Sequence, residues 1–387
     1  MAKRAGIVAV LVAGVLIAGC TSSGSDGPHP KSTTTTAPAG TTTTEAGGGS
    51  SETGLPSKRS DAPSGDWISV RFNISMEPEA SGFSPGQADA RLYDIVPDCS
   101  GDGCTLTVKP GGDDGSFGMP GTQPTASDPI VFEPDGEEWT ASSKDSEAYG
   151  CTDELDGPYI ESEESRTFKP VYDDEGAITG LVGTYVVTDR LTDEGRDAGC
   201  PADAAATWSY AVVASPSGGI RATDGWSVDG TFRQTREITE SENYTSDMLQ
   251  VGAQSMTNPE NDIDLSGDCG ADACTIALSQ ALGNGNQREM ALTADDGLTL
   301  TGSADEVDGC TDGTTGSTIL EDGAYDVVST YESLVPVWIE DGKAKVLVGE
   351  YVSDSNPTEL AKAHEECAQS EHLRAWVYLV DVDAFDV

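Results

Sequence analysis

Nine cysteines punctuate the chain, and the last eight fall into two sets of four with matching surroundings. Cys99, Cys104, Cys151 and Cys200 are spaced 5, 47 and 49 apart; Cys269, Cys274, Cys310 and Cys367 are spaced 5, 36 and 57 apart. Asp98-Cys99 followed by Cys104-Thr105-Leu106 parallels Asp268-Cys269 followed by Cys274-Thr275-Ile276. Gly150-Cys151-Thr152-Asp153 parallels Gly309-Cys310-Thr311-Asp312. Pro170-Val171-Tyr172 meets Pro336-Val337-Trp338. Without a gap, Leu181-Val182-Gly183 and Tyr185-Val186 then meet Leu347-Val348-Gly349 and Tyr351-Val352. Trp67 and Trp226 stand near the start of the two stretches, and Trp208/Tyr210 and Trp376/Tyr378 near their ends. So many ordered landmarks imply two copies of one domain of about 150–165 residues, a common size for a single core.

An even cysteine set in an exported chain reads as a disulfide framework. Four cysteines allow three pairings. The short C-x4-C spacing favours Cys99–Cys104 with Cys151–Cys200, and Cys269–Cys274 with Cys310–Cys367. In the chain-entropy view the short bridge contributes roughly 2 kcal/mol and the long one about 4. Thiolate metal ligation is the rival reading; the first copy lacks a nearby His or a second close pair.

Export is read from the N-terminus. Lys3 and Arg4 precede the apolar run Gly6–Ile17, which is too short for a spanning helix and suited to a secretory signal. Its end, Ile17-Ala18-Gly19-Cys20, resembles the lipobox of bacterial lipoproteins. That resemblance implies a diacylglyceryl group on Cys20, cleavage just before it, and a mature protein anchored on the extracytoplasmic face of the cell membrane. Residues 1–19 are then the signal peptide and 20–65 the lipidated Cys plus a Ser/Thr/Gly/Pro-rich disordered linker. The first 66 residues hold no aromatic, and Leu55 is the linker's one large apolar side chain. Such a stretch cannot offset its ordering entropy by burial. As a coil it spans roughly 35–40 Å. The folded copies are then residues 66–217 and 222–387.

The formal net charge is −46. A surface so negative repels phosphate backbones, which argues against nucleic-acid partners. Ile68, Val70, Phe72 and Ile74 alternate with Ser69, Arg71, Asn73 and Ser75, the period of a half-buried strand. Similar runs cover Thr105–Val108, Thr207–Val213, Thr275–Leu278 and Ala375–Val380. Asp135-Gly136, Glu175-Gly176, Asp296-Gly297 and Asp341-Gly342 mark tight turns. Seven or eight strands per copy predict an all-β protein: two tandem disulfide-stapled antiparallel barrels or sandwiches. Gly65-Asp66-Trp67 resembles the Gly-x-Trp opening of lipocalin-like barrels, although the second copy has Gly225-Trp226 without the spacer. Helix is expected chiefly over Pro357–Gln369.

Site signals are sparse. Asp262-x-Asp264-x-Ser266-Gly267 begins like a Ca²⁺ loop, making Asp262, Asp264 and Asp268 candidate ligands; the acid such a loop carries at its twelfth position is replaced by Ala273. His364-x2-Cys367-x4-His372 has no counterpart in the first copy, so a surface role is expected for both histidines. No catalytic residue is assigned, and no cofactor is required beyond that possible Ca²⁺. The shared aromatics Trp67/Trp226, Tyr172/Trp338, Tyr185/Tyr351 and Trp208/Trp376 read first as core and second as cavity lining. The expected function is a non-enzymatic, lipid-anchored surface protein whose duplicated modules bind an extracellular protein, glycan or small molecule, tandem copies gaining avidity. A carrier or sensor of a small apolar ligand is the second reading and an extracellular hydrolase the third. Titration of the unfolded, unreduced protein is expected to find none of the eight paired thiols free; eight free thiols would refute the framework.

Overall fold

The computed structural model describes residues 54–386 except 79–83, 101–102, 111–128, 145–149, 152–156, 174, 202–203, 218, 220–224, 245–248, 258–260, 271–272, 283–286, 295–298 and 312–317. Cys20 and Asp296-Gly297 lie outside the described residues. The first copy forms β1 (Gly65–Glu77), β2 (Ala88–Asp98), β3 (Thr105–Pro110), β4 (Ile130–Asp135), β5 (Glu138–Lys144), β6 (Ile160–Tyr172), β7 (Ile178–Leu191) and β8 (Thr207–Pro216). Each strand pairs antiparallel with the next and β8 returns to β1, closing a barrel.

The second copy forms β9 (Trp226–Glu242), β10 (Gln254–Met256), β11 (Ile263–Cys269), β12 (Cys274–Ala281), β13 (Gln287–Ala294), β14 (Leu300–Thr311), β15 (Thr318–Glu340), β16 (Lys343–Pro357) and β17 (Glu371–Asp381). β17 pairs with β9 from Phe232 to Glu242, which closes the second barrel. β9 is long enough to be shared on its other edge: Trp226–Phe232 pair with β11 and Thr235–Glu237 with the short β10. The architecture is therefore two closed eight-stranded up-and-down barrels, not sandwiches.

Local chemistry explains the turns. Gly136, Gly176 and the Asp341-Gly342 pair all adopt positive φ, as tight hairpins require. The repeated Leu-Val-Gly also has a steric reason: a Cβ on Gly183 would lie 1.8 Å from the Thr167 carbonyl oxygen, and one on Gly349 would lie 2.7 Å from Leu334 Cα. Both glycines let the two strands of the long hairpin approach more closely than a side chain would allow.

Helix appears elsewhere than the sequence predicts. Pro357–Gln369 holds only two 3₁₀ turns, Ala361–Ala363 and Glu365–Cys367, because His364 between them is extended. The α-helix is α1 (Asp193–Ala198), in the equivalent connection of the first barrel. Thr192 caps it by accepting from the Gly195 amide, and left-handed Gly199 ends it.

The disulfides staple opposite ends of each barrel. Cys99–Cys104 and Cys269–Cys274 close the β2–β3 and β11–β12 hairpins at one end. Cys151–Cys200 ties the β5–β6 connection to the β7–β8 connection at the other end, and Cys310–Cys367 ties β14 to the β16–β17 connection.

The alternation of Ile68, Val70 and Phe72 is real, but their buried face is not the interior of their own barrel. Trp67 packs inside the first barrel with Ile95, Leu106, Phe132 and Trp139. Ile68, Val70 and Phe72 point outward and join Ala88, Ala90, Ala211 and Val213 in a core shared with Val337, Trp338, Val346, Val348, Tyr378 and Val380 of the second barrel. The Ala88 amide donates across this face to Thr235 Oγ1 at 3.1 Å. Strands buried on both faces carry near-continuous apolar runs, which is why β17 reads Ala-Trp-Val-Tyr-Leu-Val. Phe72 is fully buried in the shared core. Phe72→Ala is expected to cost about 3–5 kcal/mol. Urea unfolding of the parent should show one transition reporting both barrels; two separate transitions would mean that the face does not couple them.

Candidate functional site

The end of each barrel carrying the long disulfide holds a polar chamber built from arginine and tyrosine. In the first barrel, β7 and β8 place the rings of Tyr185 and Tyr210 in a stack, centroids 5.3 Å apart. Arg71 of β1 lies over both rings, at 5.7 and 5.2 Å, and Arg166 of β6 lies 4.4 Å from the Tyr185 centroid. Cations over aromatic faces are attracted by the ring quadrupole. Arg71 Nε donates to Asp89 at 2.7 Å, Arg166 Nη2 to Glu164 at 2.6 Å, and the Tyr185 hydroxyl to Glu164 at 2.8 Å. One carboxylate oxygen each of Asp89 and Asp189 is buried here without a hydrogen-bond partner among the described residues. Burial, with the Glu164 carboxylate, pushes the Tyr185 phenol well up.

The second barrel repeats the theme. Arg236 of β9 lies 4.0 Å and Arg288 of β13 5.6 Å from the Tyr351 centroid, with Tyr331 edge-on at 5.3 Å. Gln234 accepts from Arg236 Nε at 2.8 Å and donates to the Tyr331 hydroxyl at 2.5 Å. Arg288 forms a bidentate pair with Glu306 and reaches Gln280 at 3.0 Å. Burial by itself would raise the Tyr351 phenol. Arg236, Arg288 and the hydroxyls of Ser329 and Ser353 together outweigh it and hold the group below its ordinary value.

Register identifies which residues correspond. Trp67 faces Pro216 while Phe232 faces Asp381, and Tyr185 faces Tyr210 while Tyr351 faces Ala375. Arg71 and Arg236 thus occupy one barrel position, as do Tyr185 and Tyr351. Trp67 matches Phe232, not Trp226, and Trp376 and Tyr378 match Ala211 and Val213, not Trp208 and Tyr210. An odd offset moves a residue to the opposite face. Tyr210 lines its own chamber, whereas Tyr378 lies in the shared core and donates to Glu237 at 3.3 Å. The Arg71/Arg236 pair escapes the sequence reading because the first strand is anchored there on the two tryptophans.

The equivalent arginines Arg71 and Arg236 are both partly buried, while Arg288, which has no arginine counterpart on β4, is the most enclosed at 7% exposure. Tyr244, Leu249 and Ala253 pack against the second core, and the backbone there bonds to Ile238. Burial pushes the Tyr244 phenol up to about 12. The apolar halves of both barrels are filled by side chains, led by Trp139, Phe132 and Leu106 in the first and Ile238, Ile263 and Ile276 in the second.

The remaining candidates are dispersed. Asp262 is bound by Arg233 at 2.8 and 3.1 Å and by the Thr257 hydroxyl at 3.0 Å. Asp264 and Asp268 project from the outer face of β11, four strand positions or about 13 Å apart. Asp264 accepts from Thr231 at 2.7 Å. The Asp262–Gly267 stretch is thus mostly strand where a Ca²⁺ loop would need a turn. Among the described residues no group of three His, Cys, Asp or Glu side chains is arranged to hold a metal. His372 Nδ1 lies 2.7 Å from Asp354 and Nε2 3.7 Å from Glu240; Cys367 is in its disulfide. Tyr172 is at the surface, donating to the Gly54 carbonyl at 3.2 Å, while Trp338 is in the shared core.

No family model, curated protein or solved structure matches the chain.

Glu371, in the strand that closes the second barrel, offers a titration handle. Burial, reinforced by the Asp308 carboxylate, pushes it up to about 7. An acid raised on folding costs nothing below its unfolded value, since both states are then protonated. The cost grows from about pH 4.5 and is complete above about pH 7. The full shift corresponds to roughly 3 kcal/mol, and solvent screening at this half-exposed site reduces it to about 1–2. Glu371→Gln is therefore expected to leave stability at pH 4 unchanged and raise it at pH 8 by that amount. Equal effects at both pH values in denaturant titrations would contradict the assignment.

Proposed function

We propose that this protein is a lipid-anchored component of the extracytoplasmic cell surface and that its two barrels act as binding modules, not as an enzyme. The observation that carries the reading is the apolar face shared by the barrels: it joins two related modules into one unit, so that any site common to both copies is presented twice. Linked sites of this kind convert a second contact into an intramolecular one. The disulfides fit an oxidising compartment.

The filled apolar interiors weigh against a carrier of apolar molecules, which needs an empty pocket of several hundred Å³. The chambers point to structural stacking: their guanidinium groups are already engaged by carboxylates, side-chain amides and tyrosine rings. Anchoring is assigned to Cys20, with residues 20–53 as the tether; the expected linker is shorter than 20–65, because Leu55 packs against the first core, the Pro56 carbonyl accepts from the Cys104 amide and Gly65 already belongs to β1.

Cys20→Ala tests the anchor. The parent is expected to partition with membranes and incorporate labelled fatty acid, and the variant to lose the label and leave the lipid-bound fraction. Equal labelling and partition of both proteins would refute the assignment.

A further inference from the structure

The chain enters the first barrel through an irregular segment, residues 54–64, at the end that carries the short disulfide. Two attachments hold it. The Gly54 carbonyl accepts from the Tyr172 hydroxyl at 3.2 Å, Leu55 packs against the barrel core, and the buried Pro56 accepts from the Cys104 amide at 3.3 Å. Further along, Ala62 and Pro63 are buried and the Ser64 carbonyl accepts from the Trp67 indole at 3.2 Å.

Between the attachments the chain stands clear. Residues 57–61 are all exposed, and the Asp61 amide donating to the Lys58 carbonyl at 3.1 Å folds them into a turn. That turn presents Lys58 and Arg59. Beyond Lys3-Arg4 they are the one pair of consecutive basic residues in a chain of 21 bases and 67 acids. Every other exposed lysine or arginine among the described residues lies in a strand, in α1 or in a 3₁₀ turn. An endopeptidase takes its substrate as an extended strand, through main-chain hydrogen bonds. Backbone already committed to a ladder or a helix must open before it can be cut, whereas an exposed turn is free of that requirement.

We propose that the Arg59–Ser60 bond is a processing site, cut by an endopeptidase that selects paired basic residues, and that the cut releases the barrels from their anchor. Water adds across the bond: its oxygen joins the Arg59 carbonyl carbon as the bond to the Ser60 nitrogen breaks. The products are a carboxylate on Arg59 and a new amino terminus at Ser60. An enzyme of this kind reads the basic pair with carboxylates of its own, which the pair attracts and the acids over the rest of the surface repel. The two attachments then part. Residues 60–64 run covalently into β1 and stay with the barrels. Residues 54–59 are left holding by Leu55, Pro56 and two hydrogen bonds, too little to offset the translational and rotational freedom gained on separation. The barrels leave as residues 60–387, still closed and still joined.

The consequence rests on the anchor assignment above, but the cut does not. Cys20→Ala should be cut at the same bond and rate as the parent, so failure of the anchor and failure of the site are read separately. The probe is an endopeptidase specific for Lys-Arg pairs, added to the full chain in isolated membranes. Native chain should be cut within about tenfold of the rate for a free peptide of residues 52–66, because no unfolding has to come first. The product should leave the membranes with Ser60 as its amino terminus and an unchanged melting temperature. In cells expressing the parent, a form beginning at Ser60 should appear in the medium. Lys58→Gln combined with Arg59→Gln should reduce it at least about tenfold while leaving the melting temperature of the full chain in place. Native cutting slower than that range would overturn the proposal, as would a fragment ending at Arg59 that stays with the barrels in gel filtration. So would a medium that holds no form beginning at Ser60, or an equal amount of it from the double variant.

Discussion

A barrel that closes on itself has no free edge strand but keeps an outer surface that ordinarily must be polar. Here the outer surfaces of β1, β2 and β8 are apolar where they meet β15, β16 and β17. Neither barrel could expose that patch without an aggregation hazard, so each depends on the other for solubility as well as stability. The polar groups at this face follow the same requirement. Thr235 accepts the Ala88 amide, and Glu237, raised above its ordinary value by burial, is met by the Tyr378 hydroxyl. The consequence is geometric: the two barrels form one compact unit, not two beads on a string.

Inside the barrels, duplication has preserved an interaction and not a list of residues. An arginine of the first strand and a tyrosine of the seventh occupy the same positions in both copies. The second arginine enters from β6 in one barrel and from β13, the counterpart of β4, in the other. Both solutions set two cations against one buried ring. That arrangement lets a barrel end be polar and still ordered, because the guanidiniums satisfy carboxylates and amides while their flat faces pack on aromatic carbon. Tyr351 is the extreme case: fully enclosed, its pKa is held below the ordinary phenol value by two arginines and two hydroxyls.

The periodicity of two, the acid-glycine turns and the paired cysteines were enough to read strands, hairpins and the duplicated barrel from the chain. What they could not show was which face of a strand looks inward. Ile68, Val70 and Phe72 alternate as any half-buried strand does, and alternation is the same whether the apolar side meets its own barrel or a neighbour's. The tryptophan landmarks misled for a related reason. Trp376 and Trp208 are alike in chemistry but sit an odd number of positions apart in register, so they serve opposite faces. The Arg71/Arg236 match becomes visible only once strand pairing fixes that register. The helix at Asp193–Ala198 has a full set of local signals in Thr192, Asp193, Glu194 and Gly199, yet a six-residue helix leaves too little periodicity to stand out beside the longer run at Pro357–Gln369.

The acid excess takes on a definite meaning from where the cations lie. Arg71, Arg166, Arg233, Arg288 and Lys345 are each drawn into an ion pair in which both partners are largely withdrawn from solvent. Isolated surface pairs contribute little to stability, so placing scarce cations in this way spends them where they neutralise buried carboxylates. Little positive charge is then left to offset the outward aspartates and glutamates, and the exposed field is more uniformly negative than the composition alone suggests. Among the described residues the large apolar side chains that interrupt this field, Val131, Tyr172, Val251, Val307, Val328 and Leu360, are scattered over both copies and form no single patch comparable to the face the barrels share.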